Sequence, residues 1–417
     1  MILEVAGTST QNKGAELMLA AIREHYQGSQ PLVGLAVTSG FGTFDERAAY
    51  GLRTKLPTGR LGRWRLAGAV MPAAFRRTMG IVSERDIDGV IDASGFAFGD
   101  QLGVARSRSF AQDVARWKRQ GKPVVLLPQA FGPFEDRQVR AAFQPVVTQA
   151  DLIFARDESS LRHLEAIGAP ADKLRLAPDF TNLVKPAFPQ HDERSPTRRA
   201  CIVPNHRMVE KATDDARRRY VPFLAGCVEA VREADLDPFV LLHDTHVDRE
   251  LVPALQKAAG SPLPVVSESD PRKLKGILGR SHLVIGSRFH ALVGALSQAV
   301  PCLGAGWSHK YQMLFEDYDC GENLLDTAAD DDAIRDAVVR AADGDTRTEL
   351  VGRLDRAAAR QRDQVREMWR EVDDLLGITA DSFVDEGVHD LGAVGPSNDG
   401  SEQGSSQVTA AHGGAGA

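Results

Sequence analysis

Short apolar runs alternate with amphipathic stretches along most of the chain. Ile2–Ala6, Leu32–Thr38, Gly89–Asp92, Lys122–Leu127, Leu152–Ala155 and Leu174–Leu176 read as buried strands. Between them, Ser107–Gln120, Arg137–Thr148 and Ser159–Ile167 read as helices, the last stopped by Gly168. A polar, Pro-bearing stretch, Lys185–Arg199, reads as a linker. Alternation then resumes with strands at Ala200–Val203, Phe239–Leu242, Pro264–Val266, Leu283–Ile285 and Pro301–Gly306. Helices at Tyr220–Ala234, Leu251–Ala259, Pro271–Gly279 and Ala291–Leu296 separate them. Strands alternating with helices predict βαβ units and parallel sheets, an α/β fold. The pattern predicts an N-terminal domain over 1–185, a C-terminal domain over 199–345 and a long helix over 346–378. Its apolar positions, from Leu350 to Leu376, recur near helical spacing over enough length to cross back over both domains. From 381 to 417 the composition turns to Gly, Ser, Asp and Ala, which predicts a disordered tail.

The densest chemistry lies in LVIGSRFHALVGALSQAVPCLGAGWSHKY, Leu283–Tyr311. Two consecutive strand ends there deliver Ser287, Arg288, His290, His309 and Lys310. In open α/β sheets, ligands sit beyond the carboxyl ends of strands. A single Arg or His after a strand is more often a cap or a packing residue. Two such clusters on consecutive strand ends point instead to a site for a small anion. The first loop, GTSTQNKG, leads into a helix that Asn12 and its Ser and Thr neighbours can cap, and Gly14 permits close backbone approach. That loop matches neither GxGxxG nor the Walker pattern, so it predicts no nucleotide site.

Composition narrows the function classes. The 417 residues suffice for about two to three domains. A net charge of −7 argues against a general nucleic-acid binder. Cys201, Cys227, Cys302 and Cys320 form no CxxC pair and read as buried free thiols of a reducing cytosol. MILEVAG reads as a first strand rather than a signal peptide, and no apolar run reaches transmembrane length, so the expectation is a cytoplasmic protein. Residues 47–83 hold no acidic residue but carry Arg53, Lys55, Arg60, Arg63, Arg65, Arg76 and Arg77 among apolar side chains. That segment is either a solvated connecting face or a peripheral contact with anionic lipid at the inner face of a membrane.

Six motifs in register, SGFAFGD, PQAFGPF, ARDESS, APDF, GSRFHALVGAL and GWSHKY, resemble the polysaccharide pyruvyl transferase family over Met1–Tyr318. The resemblance implies a glycosyltransferase-B-like architecture, two Rossmann-like domains facing a cleft. It also implies transfer of pyruvate from phosphoenolpyruvate onto two sugar hydroxyls as a cyclic ketal. The family's catalytic positions fall on His290, Arg156 and Lys310. The first loop reads Asn12-Lys13-Gly14-Ala15-Glu16 where many relatives carry N-x-G-D-E. Glu16 either replaces the missing carboxylate or charges the helix N-terminus favourably.

Phosphoenolpyruvate carries a phosphate and a carboxylate, for which Arg156, Arg288 and Lys310 are suited. A histidine can supply and recover protons, the role expected of His290. Acceptor-side candidates are Asn12, Glu16, Asp92, Ser94 and Asp100 on loops after N-terminal strands, with His243 and Asp244 opposite. Asp92 and Asp179 read equally as turn or helix caps. The spacing in HDTH, residues 243–246, also suits a metal pair, but no third ligand is evident, so the expectation is no metal and no cofactor beyond the co-substrate. The acceptor is a sugar, free or lipid-linked. The rival readings are a nucleotide-sugar glycosyltransferase on the same frame and a noncatalytic glycan- or phosphate-binding protein.

Overall fold

The computed structural model describes residues 1–29, 32–57, 71–188, 198–210, 213–244, 247–306 and 308–378. The expected tail, most of the linker, Trp307, the Thr245-His246 half of the HDTH motif and the middle of the basic segment lie outside these residues.

Two parallel sheets organise the chain. The first contains β1 (Ile2–Ala6), β2 (Gly34–Thr38), β3 (Arg53–Lys55), β4 (Ile81–Val82), β5 (Gly89–Asp92), β6 (Phe96–Phe98), β7 (Val124–Phe131), β8 (Leu152–Ala155) and β9 (Leu174–Leu176). Its order is β4-β3-β2-β1-β5-β7-β8-β9, with β6 beside β7. The second contains β10 (Arg199–Val203), β11 (Asp237–Leu242), β12 (Val265–Ser267), β13 (Leu283–Gly286) and β14 (Cys302–Gly304), in the order β12-β11-β10-β13-β14. The strand order reverses between β1 and β5 in the first sheet and between β10 and β13 in the second. Crevices open beyond the strand ends at such reversals.

The central strands are apolar throughout because helices cover both faces of a parallel sheet. Leu152–Ala155 and Leu283–Gly286 are buried at every position. Strand β7 runs four residues beyond the predicted stretch: its register against β8 shifts between Leu126 and Gln129, and pairing resumes past Pro128.

Helix α1 (Lys13–Tyr26) follows β1 and is capped by Asn12, whose side chain accepts from the N–H groups of Gly14, at 2.9 Å, and Ala15, at 3.3 Å. The final helix, Gly344–Leu376, is 33 residues long and joins two cores. Leu350, Leu354, Ala357 and Ala358 pack into the core around the second sheet. Val365, Met368, Trp369, Val372 and Leu376 pack into the core around the first. Each large apolar side chain so buried contributes about 1.5–3 kcal/mol. Lys275 adds a polar tie, its buried ammonium donating to the carbonyls of Thr181, at 2.8 Å, and Asn182, at 3.4 Å.

All four cysteines are free and buried, and burial pushes their thiols up, that of Cys320 to about 12. Part of the basic segment is sheet: Lys55 is buried on β3 and its ammonium pairs with buried Glu4. Arg76 turns to Asp86 at 3.5 Å, which leaves Phe75, Arg77 and Met79 exposed on the short helix Ala73–Thr78. Among the described residues no helix is long and apolar enough to cross a membrane.

Candidate functional site

Both sheet reversals open onto the same hollow. A cavity of about 360 Å³ is lined by Asn12 beyond β1, Ser94 and Phe96 beyond β5, and Arg156 beyond β8 on one side. Arg207 beyond β10, His243 beyond β11, and Arg288, Phe289, His290 and Lys310 beyond β13 and β14 complete it on the other. Sequence spacing places these side chains far apart along the chain; the parallel topology collects them.

Each functional side chain is fixed by its local fold. The turn after β13 is held at the Ser287 carbonyl, which accepts from the Asn205 amide and, at 2.8 Å, from the Tyr311 hydroxyl. Phe289–Leu296 then starts a helix that presents Phe289 and His290 across the hollow. Arg156 leaves β8 with its N–H on the Gln129 carbonyl at 3.0 Å, and its guanidinium lies 4.1 Å from the centre of the Phe289 ring. Arginine stacks well on such a face. Lys310, in the first turn of the helix His309–Asp317, holds its ammonium 5.3 Å from the ring centres of both Phe96 and Phe289.

Asp179 joins the two sides. It is buried, accepts from the Thr181 hydroxyl at 2.6 Å, and faces Arg156 at 3.2 Å and His290 Nε2 at 3.5 Å. Burial alone would raise its carboxyl; His290 and Arg156 outweigh that and hold it well below the usual range. Asp248 holds Arg288 within the second half. It is fully buried, binds Arg288 through both carboxylate oxygens, one at 2.9 Å, and accepts from the His206 and Asp244 N–H groups. Burial pushes the Asp248 carboxyl up against the pull of Arg288.

Lysine and histidine are shifted as well. Burial, reinforced by Arg156 and Arg288, brings Lys310 down to about 7. Burial and the charges of Arg288, His290 and Lys13 hold His243 well below its ordinary value, so it is a neutral imidazole at pH 7. Among the described residues no carboxylate lines the cavity, while Arg156, Arg207, Arg288 and Lys310 do. Such a lining offers several cationic donors to a compact anion with several oxygens. No group of three His, Cys, Asp or Glu side chains is placed to hold a metal among the described residues.

Of the residues singled out in the sequence, His290, Arg156, Lys310, Arg288, Asn12, Ser94 and His243 meet at this cavity. The others do not line it. Glu16 turns to the Lys13 ammonium at 2.5 Å and the Tyr50 hydroxyl at 2.8 Å, so its carboxylate is consumed within its own half. Asp92 is buried beneath Ser94 and accepts from its hydroxyl and from the Gln129 amide, each at 2.8 Å. Asp100 accepts from the N–H groups of Glu135, at 2.9 Å, and Asp136, at 3.3 Å, fixing a neighbouring loop. Ser287 is buried and acts through its carbonyl. His309 lies beside Asp157 at 3.9 Å and edge-on to His163. Arg207 was not singled out, although its position after a strand end was the available signal. Phe96 and Phe289 read as apolar motif positions, and only the structure shows them flanking the cations.

The fold matches several solved enzymes at low identity. A putative UDP-N-acetylglucosamine 2-epimerase from Listeria monocytogenes superposes with a TM-score of 0.57 at 13% identity, covering 92% of this chain and 99% of that one. The Neisseria meningitidis UDP-GlcNAc 2-epimerase bound to UDP-GlcNAc gives 0.56 at 9%, covering 90% and 100%. The Staphylococcus aureus MnaA–UDP structure gives 0.55 at 14%, covering 93% and 99%. These likenesses establish a glycosyltransferase-B-like α/β fold. No curated protein sequence matches the chain. The family model described as polysaccharide pyruvyl transferase matches residues 12–309, a span that holds every residue lining the cavity except Lys310. The chain belongs to the polysaccharide pyruvyl transferase family.

Proposed function

We propose that the protein transfers pyruvate from phosphoenolpyruvate to two hydroxyls of a sugar in a polysaccharide or its precursor, forming a cyclic ketal and releasing phosphate. The observation that carries this reading is a cavity without lining carboxylates among the described residues, in which cations from both sheets surround His290 and the neutral imidazole of His243. Arg156, Arg207, Arg288 and Lys310 take the phosphate and carboxylate oxygens. Asp248, Asp179 and Glu210 already pair with Arg288, Arg156 and Arg207, so the anion shares these cations with the protein's own carboxylates.

His290 delivers a proton to the methylene carbon of the enol, which becomes a methyl group and leaves the central carbon electrophilic. One sugar hydroxyl adds there, phosphate departs with the C–O bond electrons, and the second hydroxyl closes the ring. Each hydroxyl loses its proton as its C–O bond forms; one proton replaces that given by His290 and the other leaves with phosphate. Asp179 keeps the imidazole oriented. Ser94 and Asn12 face the sugar side of the cavity. The acceptor is free or lipid-linked; for a lipid-linked one, the exposed Phe75, Arg77 and Met79 are the described residues suited to meet a membrane surface.

Thermal unfolding with phosphoenolpyruvate tests the reading. A ligand of the native state at about a hundred times its dissociation constant adds about 2.7 kcal/mol. The reading expects a raised melting temperature with phosphoenolpyruvate and loss of the shift in Arg156→Ala. A shift with UDP-N-acetylglucosamine and none with phosphoenolpyruvate contradicts it.

A further inference from the structure

A second hollow of about 360 Å³ opens beyond β1, β2, β3 and β5, next to the cavity described above. Ser94 lines the first and Asp92 the second, and the two side chains meet at 2.8 Å. The loop after β1 also serves both, with Thr8 in the second hollow and Asn12 in the first. A chain-like ligand engaged in the first cavity therefore has a second hollow beside it along the same strand ends.

The chemistry of the second hollow differs from that of the first. Among the described lining residues, Lys55, Arg106 and Arg116 are matched by Glu4, Asp92 and Asp113, with no excess of either charge. Two of the cations are already spent, since Lys55 pairs with Glu4 and Arg116 with Asp113 and Glu84. An anion gains little there. Aromatic surface is supplied by Phe41, Phe110 and Trp117. Unpaired polar atoms are buried against its wall: Trp117 is 3% exposed and its indole Nε1 has no hydrogen-bond partner. Glu4 is 2% exposed with Oε2 likewise unpartnered, as is the Thr8 hydroxyl. A buried donor or acceptor left unpaired is destabilising, and a ligand carrying hydroxyls offsets that.

We infer that this second hollow binds an uncharged sugar residue, with Trp117 Nε1, Thr8 Oγ1, Glu4 Oε2 and Arg106 meeting its hydroxyls. Its identification as a further residue of the acceptor glycan rests on the transfer reading; the binding itself does not. A polysaccharide acceptor then spans the two hollows, presenting one residue to His290 while its neighbour is held by the first sheet alone.

Saturation-transfer NMR with the methyl glycosides of glucose, galactose, mannose and N-acetylglucosamine tests the site directly. The expected result is transfer to at least one glycoside, equal in wild type and His290→Ala, and weakened about fivefold or more in Arg106→Gln, Thr8→Val and Trp117→Phe. All three variants keep the thermal shift with phosphoenolpyruvate, which shows that they are folded. The inference is overturned if no glycoside receives saturation, or if the signal is unchanged in the three variants. Glycoside binding without any phosphoenolpyruvate shift would sink the transfer reading and leave the sugar site standing.

Discussion

Gly14 and His290 approach so closely that a methyl group on Gly14 would lie 2.2 Å from His290 Nδ1. One residue opens the first helix of the N-terminal sheet, and the other stands on the helix after β13. The absent side chain at Gly14 is what lets the imidazole reach the cavity. Gly14→Ala must push the ring aside by more than an ångström, and misplacement of that size costs about a hundredfold in rate. The variant is expected to unfold at nearly the wild-type temperature and to turn over at about one hundredth of the wild-type rate, read by phosphate release.

Replacing His290 itself removes the proton donor. His290→Ala is expected to lose about a hundredfold or more in kcat while the phosphoenolpyruvate-induced thermal shift persists. Near-normal turnover in this variant would assign the proton to another group.

Lys310 sets a pH dependence. Its ammonium is brought to about 7 by burial and the neighbouring arginines, so it loses its proton as pH rises through neutrality. A neutral amine holds an anion less well. The KM for phosphoenolpyruvate is therefore expected to rise between about pH 6 and pH 8, and Lys310→Arg, which stays charged, to flatten that rise.

Asp179 contributes to stability with the opposite sign. Its folded carboxyl sits well below its unfolded value, near about 3.9, because His290 and Arg156 overcome the effect of burial. The stabilisation is complete above about pH 4 and is lost as pH falls toward the folded value. Asp179→Asn is expected to be less stable at neutral pH by about 2 kcal/mol and to lose less on acidification, measured by denaturant melts from neutral to acidic pH.

Arg288 and Arg207 line the same cavity but differ in what removal leaves behind. Arg288→Ala strands the fully buried Asp248 carboxylate, an expected loss of about 3–5 kcal/mol in denaturant melts. The Arg207 side chain is 56% exposed and pairs with Glu210 on its own short helix. Arg207→Ala is expected to leave stability within about 0.5 kcal/mol while raising the KM for phosphoenolpyruvate.

The alternation of apolar runs was enough to place most strands within a few residues, because a strand buried on both faces leaves an unbroken apolar signal. The exceptions are instructive. β3, β4 and β6, of two or three residues each, were not read as strands. Lys55 looked like a surface cation and is buried, because its partner Glu4 lies on a strand fifty positions earlier. Glu16 and Asp100 illustrate the same limit. A carboxylate's residue type is visible in the sequence, but its partners, Tyr50 for one and the Glu135 and Asp136 amides for the other, are set by folding. Arg156, Arg288 and Lys310 were legible because parallel sheets bring strand ends to one edge, whereas Arg207 was not singled out. Their aromatic flank of Phe96 and Phe289 was not, since an apolar residue in a motif looks the same in a core.

Isotope-labelled phosphoenolpyruvate, incubated with the protein and glycans offering free diols, puts the transfer itself to the test. The account predicts that the label enters the glycan as a quaternary ketal carbon, with one phosphate released per ketal and both products formed about a hundredfold or more slowly by His290→Ala. Phosphate release with no label on any glycan, or nucleoside diphosphate released from a sugar nucleotide in its place, would contradict it.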